Sequence, residues 1–214
     1  MRVNQIPTIM ALKHYISIFS AIFCLLVSSC TQPPTKQKNS TPPVEIEEAK
    51  ADQVILQQSE PDTLKGSLKA EARGDIGLAN VKISYYSPAV RGRVVWGGLV
   101  PYDQVWVTGA HSATSLETDQ KLVIGGKVIP AGKYALFTIP GKENWTIIIN
   151  KNSQQHLADN YSEKDDLVRV LAKPEVQQVN QERLRYEIFS NAKNAGQIVI
   201  SWEKLKLTLL VKSE

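Results

Sequence analysis

From residue 61 onward, apolar and polar side chains alternate with a period of two, which is typical of strands that bury one face. In "NVKISYY" the alternation places Val81, Ile83 and Tyr85 on one face, and Lys82, Ser84 and Tyr86 on the other. The same pattern predicts further inward-facing sets, which are Trp145, Ile147 and Ile149 in "NWTIIIN", and Leu184, Tyr186 and Ile188 in "RLRYEIF". Arg183, Arg185 and Glu187 are correspondingly predicted to face outward.

The C-terminal segment "QIVISWEKLKLTLLV" changes its alternation once. Its inward set is first Ile198, Ile200 and Trp202, and then Leu205, Leu207, Leu209 and Val211. A change of one residue would turn every later side chain to the other face. The sequence therefore predicts a bulge or a turn near Glu203 and Lys204.

Turn signals separate these short strands. Gly125 and Gly126 suit a two-residue hairpin turn that needs positive φ, and Pro130-Ala131-Gly132 predicts a second reversal. The long polar connection at residues 156–166 is the place where a helical turn is expected. Strands of this length and spacing predict an all-β fold: an antiparallel β-sandwich (jelly-roll-like) or a partly closed barrel.

The first thirty residues differ from the rest of the chain. Thirteen largely apolar residues (15–27) follow a segment that carries Arg2 and Lys13 and no acidic residue, and translation could begin at Met1 or Met10. This pattern predicts a secretory signal peptide. The apolar run is too short for a membrane-spanning helix, which needs about 20 residues. The segment ends in "LVSSC", which resembles the bacterial lipobox and implies cleavage after residue 29 and lipidation of Cys30.

We therefore divide the chain into a signal peptide (1–29), a lipidated cysteine with a flexible linker (30–60) and a single β domain (61–214). The linker is rich in proline and polar residues, which is typical of a tether, although residues 45–58 could form a short amphipathic helix. Acyl chains buried at about 0.8 kcal/mol per methylene would hold the protein at a membrane.

Cysteine content and charge narrow the function classes further. The two cysteines are Cys24 and Cys30, so the β domain has no thiol for a disulfide, a nucleophile or a zinc site. Removal of residues 1–29 takes away two of the 25 basic residues and none of the 21 acidic residues, which leaves a net charge of +2. So small a charge argues against nucleic acid as a partner.

Four motifs in a fixed order then indicate a family. They are "YYSPAVRGR" (85–93), "WGGLVPYDQVWVTGA" (96–110), "IGGKVIPAGKYALFTIPG" (124–141) and "WTIIINK" (145–151). Over residues 78–211 the chain resembles the exported bacterial family catalogued as domain of unknown function 2911. The resemblance implies an exported or lipid-anchored β protein with no assigned activity. Family members usually carry Arg, Asn and Glu where this chain has Val107, His111 and Ser112, so this chain has fewer charges there.

Residues 96–111 form the candidate ligand site, because this segment concentrates aromatic residues and glycine. One hypothesis is a cleft with aromatic walls and a glycine-rich base. Its six candidate ligand-binding residues are Arg93, Trp96, Tyr102, Trp106, Thr108 and His111. The alternative is that both tryptophans belong to the core.

Other polar residues give weaker indications of a functional site. His156 with Asp159, Asp165 or Asp166 could form a metal site, but a solvated loop is the simpler interpretation. Asp165, Asp166 and Arg169 could pair across the same loop. Arg91 and Arg93 could clamp a carboxylate or a sugar oxygen. We expect no catalytic residue, no metal and no cofactor.

The sequence thus favours a non-enzymatic, lipid-anchored module that binds a ligand or assists assembly in the cell envelope. The expected partners are the membrane, through the lipid, and a small molecule, a glycan or a protein. We expect the periplasmic side of the outer membrane of a Gram-negative bacterium, with the cell surface as the other location. The alternatives are an envelope carbohydrate-active hydrolase or isomerase, and a purely structural lipoprotein.

Overall fold

The computed structural model describes residues 64–214. The signal peptide, Cys30 and the linker lie outside the described residues. Two antiparallel sheets make up the fold. One sheet has six strands, and the other has four. Within residues 64–214 no helix is long and apolar enough to cross a membrane.

The ten strands of the described residues are β1 (Leu68–Ile76), β2 (Ala79–Ser87), β3 (Thr114–Thr118), β4 (Leu122–Ile124), β5 (Lys127–Ile129), β6 (Gly132–Ile139), β7 (Trp145–Asn150), β8 (Asp166–Ala172), β9 (Glu175–Ala192) and β10 (Ala195–Ser213). The six-stranded sheet has the order β1-β2-β3-β6-β7-β8, and the four-stranded sheet has the order β5-β4-β10-β9. A 3₁₀ turn (Glu163–Asp165) lies in the polar connection before β8, where a helical turn is expected.

The main core lies between the two sheets, and the predicted alternation identifies most of it. Every inward-facing residue predicted for β2 and β7 is buried, and so are Leu184 and Tyr186 of β9. The sheets are not closed into a barrel, so the sandwich prediction is confirmed and the barrel alternative is not. At one edge, residues 88–90 leave β2 and pair with β9, where the Val90 amide donates to the Glu182 carbonyl at 2.8 Å.

The predicted Gly125-Gly126 turn and the predicted irregularity are both present. Gly125 and Gly126 have φ of 58° and 79°, and they join β4 to β5 as a two-residue hairpin turn. In β10 the pairing with β9 shifts on both sides of Glu203, whose φ is 54°. Because of this bulge, Trp202 and Leu205 face the same core although three positions separate them.

One predicted exposure is wrong. The alternation predicts that Arg183 lies on the solvent side of β9, but only 2% of it is exposed. Its guanidinium donates to the carbonyls of Leu64 at 2.8 Å, Ser87 at 3.1 Å and Gly66 at 3.2 Å. The segment that enters the domain at Leu64 covers this face of β9, which strand periodicity alone does not reveal.

Candidate functional site

The outer face of the six-stranded sheet has an apolar half and a polar half. The apolar half belongs to β6 and β7, where Ala135, Phe137 and Ile148 are fully buried although they point away from the main core. Residues 105–113 and the connection after β7 cover them and form a second, smaller cluster. The polar half belongs to β1, β2 and β3 and lies beside this cover.

The two covering segments are hydrogen-bonded to each other. The Ala113 amide donates to the Gln155 carbonyl at 2.9 Å, and the Leu157 amide donates to the His111 carbonyl at 2.8 Å. Ser112 and His156 lie opposite each other in the same antiparallel arrangement. The cover is therefore fixed by backbone bonds, and it forms a wall beside the exposed strands.

A groove of about 400 Å³ lies between this wall and the polar half of the sheet. This volume falls within the range of ordinary ligand pockets, about 300–1,000 Å³. The floor carries the outward-facing side chains of four strands, which are Lys69 (β1), Ser84 and Tyr86 (β2), Ser115 (β3) and Lys133 (β6). The wall is formed by residues 112–113 and 153–156. We call this the polar groove.

The lining of the polar groove is cationic and rich in hydrogen-bonding groups. It includes two lysines, four serines, two glutamines and His156, and no Asp or Glu is among the described residues that line it. A carboxylate does lie nearby, because the Ser84 hydroxyl donates to Glu71 Oε1 at 3.1 Å, and Glu71 also pairs with Arg73. Such a lining supplies both donors and acceptors, together with positive charge.

Gln155 leaves one buried acceptor without a donor at the wall of the groove. This residue is 4% exposed, and its Nε2 donates to the Asn152 carbonyl at 2.8 Å. Its Oε1 is buried and has no hydrogen-bond partner. A buried acceptor left unpaired costs about 1–3 kcal/mol.

Tyr86 gives the groove an aromatic surface. The ring of His111 packs edge-on against it, with centroids 5.0 Å apart and an interplanar angle of 81°. His111 has φ of 62°, a left-handed conformation in which His is more common than most residues. The backbone conformation at His111 thus places its imidazole against the ring of Tyr86.

The six predicted site residues lie in different environments. Trp96 and Trp106 touch, with centroids 5.9 Å apart, and both pack on the main core. Thr108 is fully buried. Two other predicted residues make local contacts. The Arg93 side chain donates to the carbonyls of Ala89 at 2.6 Å and Val90 at 3.1 Å, and Tyr102 lies against Gly97, on which a Cβ would stand 2.9 Å from the tyrosine ring.

All four tryptophans of the protein gather in one cluster. Trp96 lies 4.8 Å from Trp145 and 5.7 Å from Trp202, and Trp106 stacks on Trp202 at 5.7 Å. The indole N–H groups of Trp106 and Trp202 donate to backbone carbonyls, whereas those of Trp96 and Trp145 are buried without a partner. A cavity of about 10 Å³ lies beside these two unpaired indoles, which is room for about one water molecule.

Thr108 joins the cluster to the strands below it. Its φ of 52° is unusual for a β-branched residue. Its carbonyl accepts from the Tyr186 hydroxyl at 2.8 Å and from the Thr114 hydroxyl at 3.0 Å. Burial raises the pKa of Tyr186 well above its usual value, so this donor keeps its proton. A Cβ on Gly109 would lie 2.9 Å from Thr114 Oγ1, so another strand makes the close approach at this glycine.

The loop before β8 is held by a polar network. Asp166 accepts from Asn150 Nδ2 at 2.7 Å, from the Tyr161 hydroxyl at 2.7 Å and from Arg169 Nη1 at 2.8 Å. Burial, together with the bond to Asp166, raises the pKa of Tyr161 to about 12. His156 lies 3.4 Å from Asp159. Within residues 64–214, no three His, Cys, Asp or Glu side chains are grouped closely enough to hold a metal ion.

Comparison with known proteins identifies a family. The family described as "Protein of unknown function (DUF2911)" matches residues 67–211, which include β1 to β9 and nearly all of β10. The chain belongs to this family. No curated protein and no solved structure matches the chain.

Sequence reasoning did not select the residues that form the polar groove of this DUF2911 domain. Lys69, Tyr86 and Lys133 lie on three strands, and sheet order alone makes them neighbours. The sequence could have indicated Tyr86, because a large aromatic residue at an outward-facing strand position is unusual. It could not have indicated Gln155, since the orphaned oxygen of this residue depends on how the cover folds.

Proposed function

We propose that this DUF2911 protein is a lipid-anchored, non-enzymatic binding module of the bacterial cell envelope. Its ligand site is the polar groove, which adjoins the aromatic and glycine-rich segment 96–111 through His111 and Ser112. The partners are the membrane, through lipid on Cys30, and a small molecule or glycan. The location is the periplasmic side of the outer membrane of a Gram-negative bacterium.

The polar groove itself is the observation that carries the binding proposal. Its volume is about 400 Å³, and lysines, serines and an aromatic ring line it. The wall is held by backbone hydrogen bonds, so the groove exists before any ligand arrives. A preformed site loses little conformational entropy on binding.

The binding proposal predicts which amide signals respond to a ligand. The complete mature chain carrying Cys30→Ser is titrated by NMR with a library of envelope sugars and small metabolites. Ligands should shift the amides of β2, β3 and residues 153–156. Tyr86→Ala should weaken binding about tenfold or more, equivalent to at least about 1.4 kcal/mol.

Tyr102→Ala is the matched control, because Tyr102 is also a partly buried tyrosine but lies outside the polar groove. It should leave the affinity unchanged. If Tyr102→Ala abolished binding and Tyr86→Ala did not, the ligand would lie at segment 96–111 itself. If no library member shifted the groove amides, the groove would not be a ligand site.

Lipid anchoring rests on the lipobox "LVSSC" and on the short apolar segment before it. Mass spectrometry of the N-terminal peptide should find a diacylated or triacylated Cys30. Cys30→Ser should move the protein from the membrane fraction to the soluble fraction, because the acyl chains supply the attachment. Cys24→Ser is the control and should leave anchoring intact. An unmodified Cys30 thiol in the native protein would disprove the anchor.

A further inference from the structure

We propose that the polar groove is specific for acidic carbohydrate, meaning one or two sugar units that carry a carboxylate. This inference rests on the groove being the ligand site. Three features of the lining define the ligand: its charge, its hydroxyl groups and its aromatic surface.

The charge of the lining favours an anion. Lys69 and Lys133 lie on strands at opposite sides of the floor, β1 and β6, and no carboxylate is among the described residues that line the groove. Lysine ammonium groups act as point charges with freely rotating donors. Ammonium groups of this kind form charge-assisted hydrogen bonds with carboxylates.

The hydrogen-bonding groups favour a ligand that both donates and accepts. The serine hydroxyls on the floor and wall both donate and accept, as sugar hydroxyls do. A polyhydroxylated acid can therefore form more hydrogen bonds with the lining than an acid without hydroxyl groups can.

The aromatic surface suits a sugar ring. Tyr86 is partly buried, and His111 packs edge-on against its ring and holds it in place. A rigid aromatic ring offers a flat apolar surface at little cost in conformational entropy, and sugar rings present C–H groups on their faces.

A second recess on the same sheet face has a more acidic lining and serves as an internal control. It is about 270 Å³, and its charged lining residues are three carboxylates and two cations: Asp75, Glu117, Asp119, Arg73 and Lys82. Hydrogen bonds from Asn80 lower the pKa of Asp119, so this carboxyl stays ionised. An acidic sugar should therefore avoid this recess and enter the polar groove.

The test compares a charged sugar with its neutral match. The complete mature chain with Cys30→Ser is titrated by NMR with galacturonic acid, with its dimer and with the methyl ester of the dimer. The dimer should shift amides of the polar groove and not those of the second recess. Loss of the carboxylate charge in the ester should weaken binding about tenfold, as expected for a charge-assisted hydrogen bond.

Two variants that each remove one lysine charge show where on the protein the acid binds. Lys133→Gln should weaken binding of the acid about three- to tenfold and leave binding of the ester unchanged. Lys127→Gln, on β5 of the other sheet, should leave both unchanged. If the free monomer bound as tightly as the dimer, the site would serve a soluble sugar acid, and tighter binding of the dimer would indicate a polysaccharide.

Three outcomes would overturn this inference. Equal affinity for acid and ester would show that charge is not recognised. An equal loss in Lys127→Gln and Lys133→Gln would show nonspecific attraction to the protein. Absence of binding by every galacturonate probe, while another library member shifts the groove amides, would refute the ligand class and leave the proposed function standing. If nothing shifts the groove amides, the proposed function itself fails.

Discussion

Replacing Arg183 with leucine should lower the free energy of unfolding by about 3–5 kcal/mol, because it removes a buried charged donor from carbonyls that depend on it. Arg183 is 2% exposed and bonds to Leu64, Gly66 and Ser87. The leucine would leave these carbonyls buried or force the entering segment to detach. Urea-induced unfolding followed by tryptophan fluorescence measures the loss.

Arg185→Leu is the matched control, because Arg185 lies two residues further on the same face of β9. Its side chain pairs with Glu187 and is 24% exposed, so its loss should cost less than about 1 kcal/mol. Amide exchange would add a local readout, since Lys65 and Gly66 should exchange faster only in Arg183→Leu. If both variants lost equal stability, Arg183 would not be holding the entering segment.

Strand periodicity predicted the sandwich well wherever one face of a strand meets the core and the other meets solvent. Val81, Ile83 and Tyr85 illustrate this, and so does the phase change that produces the bulge at Glu203. The prediction failed at Arg183 because alternation reports which side a residue takes and not what covers that side. The cover comes from Leu64 and Gly66, more than 100 residues earlier in the chain.

The sequence also did not reveal that strands in the middle of the six-stranded sheet are buried on both faces. Leu136 faces the main core, while Ala135 and Phe137 face the cover, so residues 134–137 of β6 form an apolar run without a solvent side. A run of this kind indicates a strand buried on both faces, but it does not say which segment provides the second cover. The loops at 105–113 and after β7 provide it, and their pairing depends on tertiary structure.

The candidate site was only partly predictable for the same reason. Concentration of aromatic residues drew attention to segment 96–111, whose tryptophans meet Trp145 and Trp202 in one cluster. The polar groove, by contrast, is assembled from single outward-facing residues such as Lys69 and Lys133. Each is an ordinary solvent-side position in its own strand, and the strand order β1-β2-β3-β6 alone brings them to one surface.

The tryptophan cluster leads to the second prediction: Trp202→Ala should lower the free energy of unfolding by about 3–5 kcal/mol, as large truncations in a packed core do. Trp202 is 2% exposed, stacks on Trp106 with an interplanar angle of 22°, and donates its indole N–H to the Glu182 carbonyl at 3.3 Å. Its removal would open a cavity between the sheets beside the bulge at Glu203. Urea unfolding measures the cost, and near-ultraviolet circular dichroism should lose the signal of the coupled indoles.

Trp202→Phe separates packing from hydrogen bonding in the same cluster. Phenylalanine keeps an aromatic ring against Trp96 and Trp106 and loses the bond to Glu182, so the cost should fall to about 1–2 kcal/mol. If Trp202→Ala were as stable as the wild type, the indoles would not be core. They would then be free to rearrange around a ligand, as the hypothesis of an aromatic cleft at segment 96–111 requires. A large loss in Trp202→Ala would mean that Trp96 and Trp106 hold the sheets together, which leaves the polar groove as the surface available for binding.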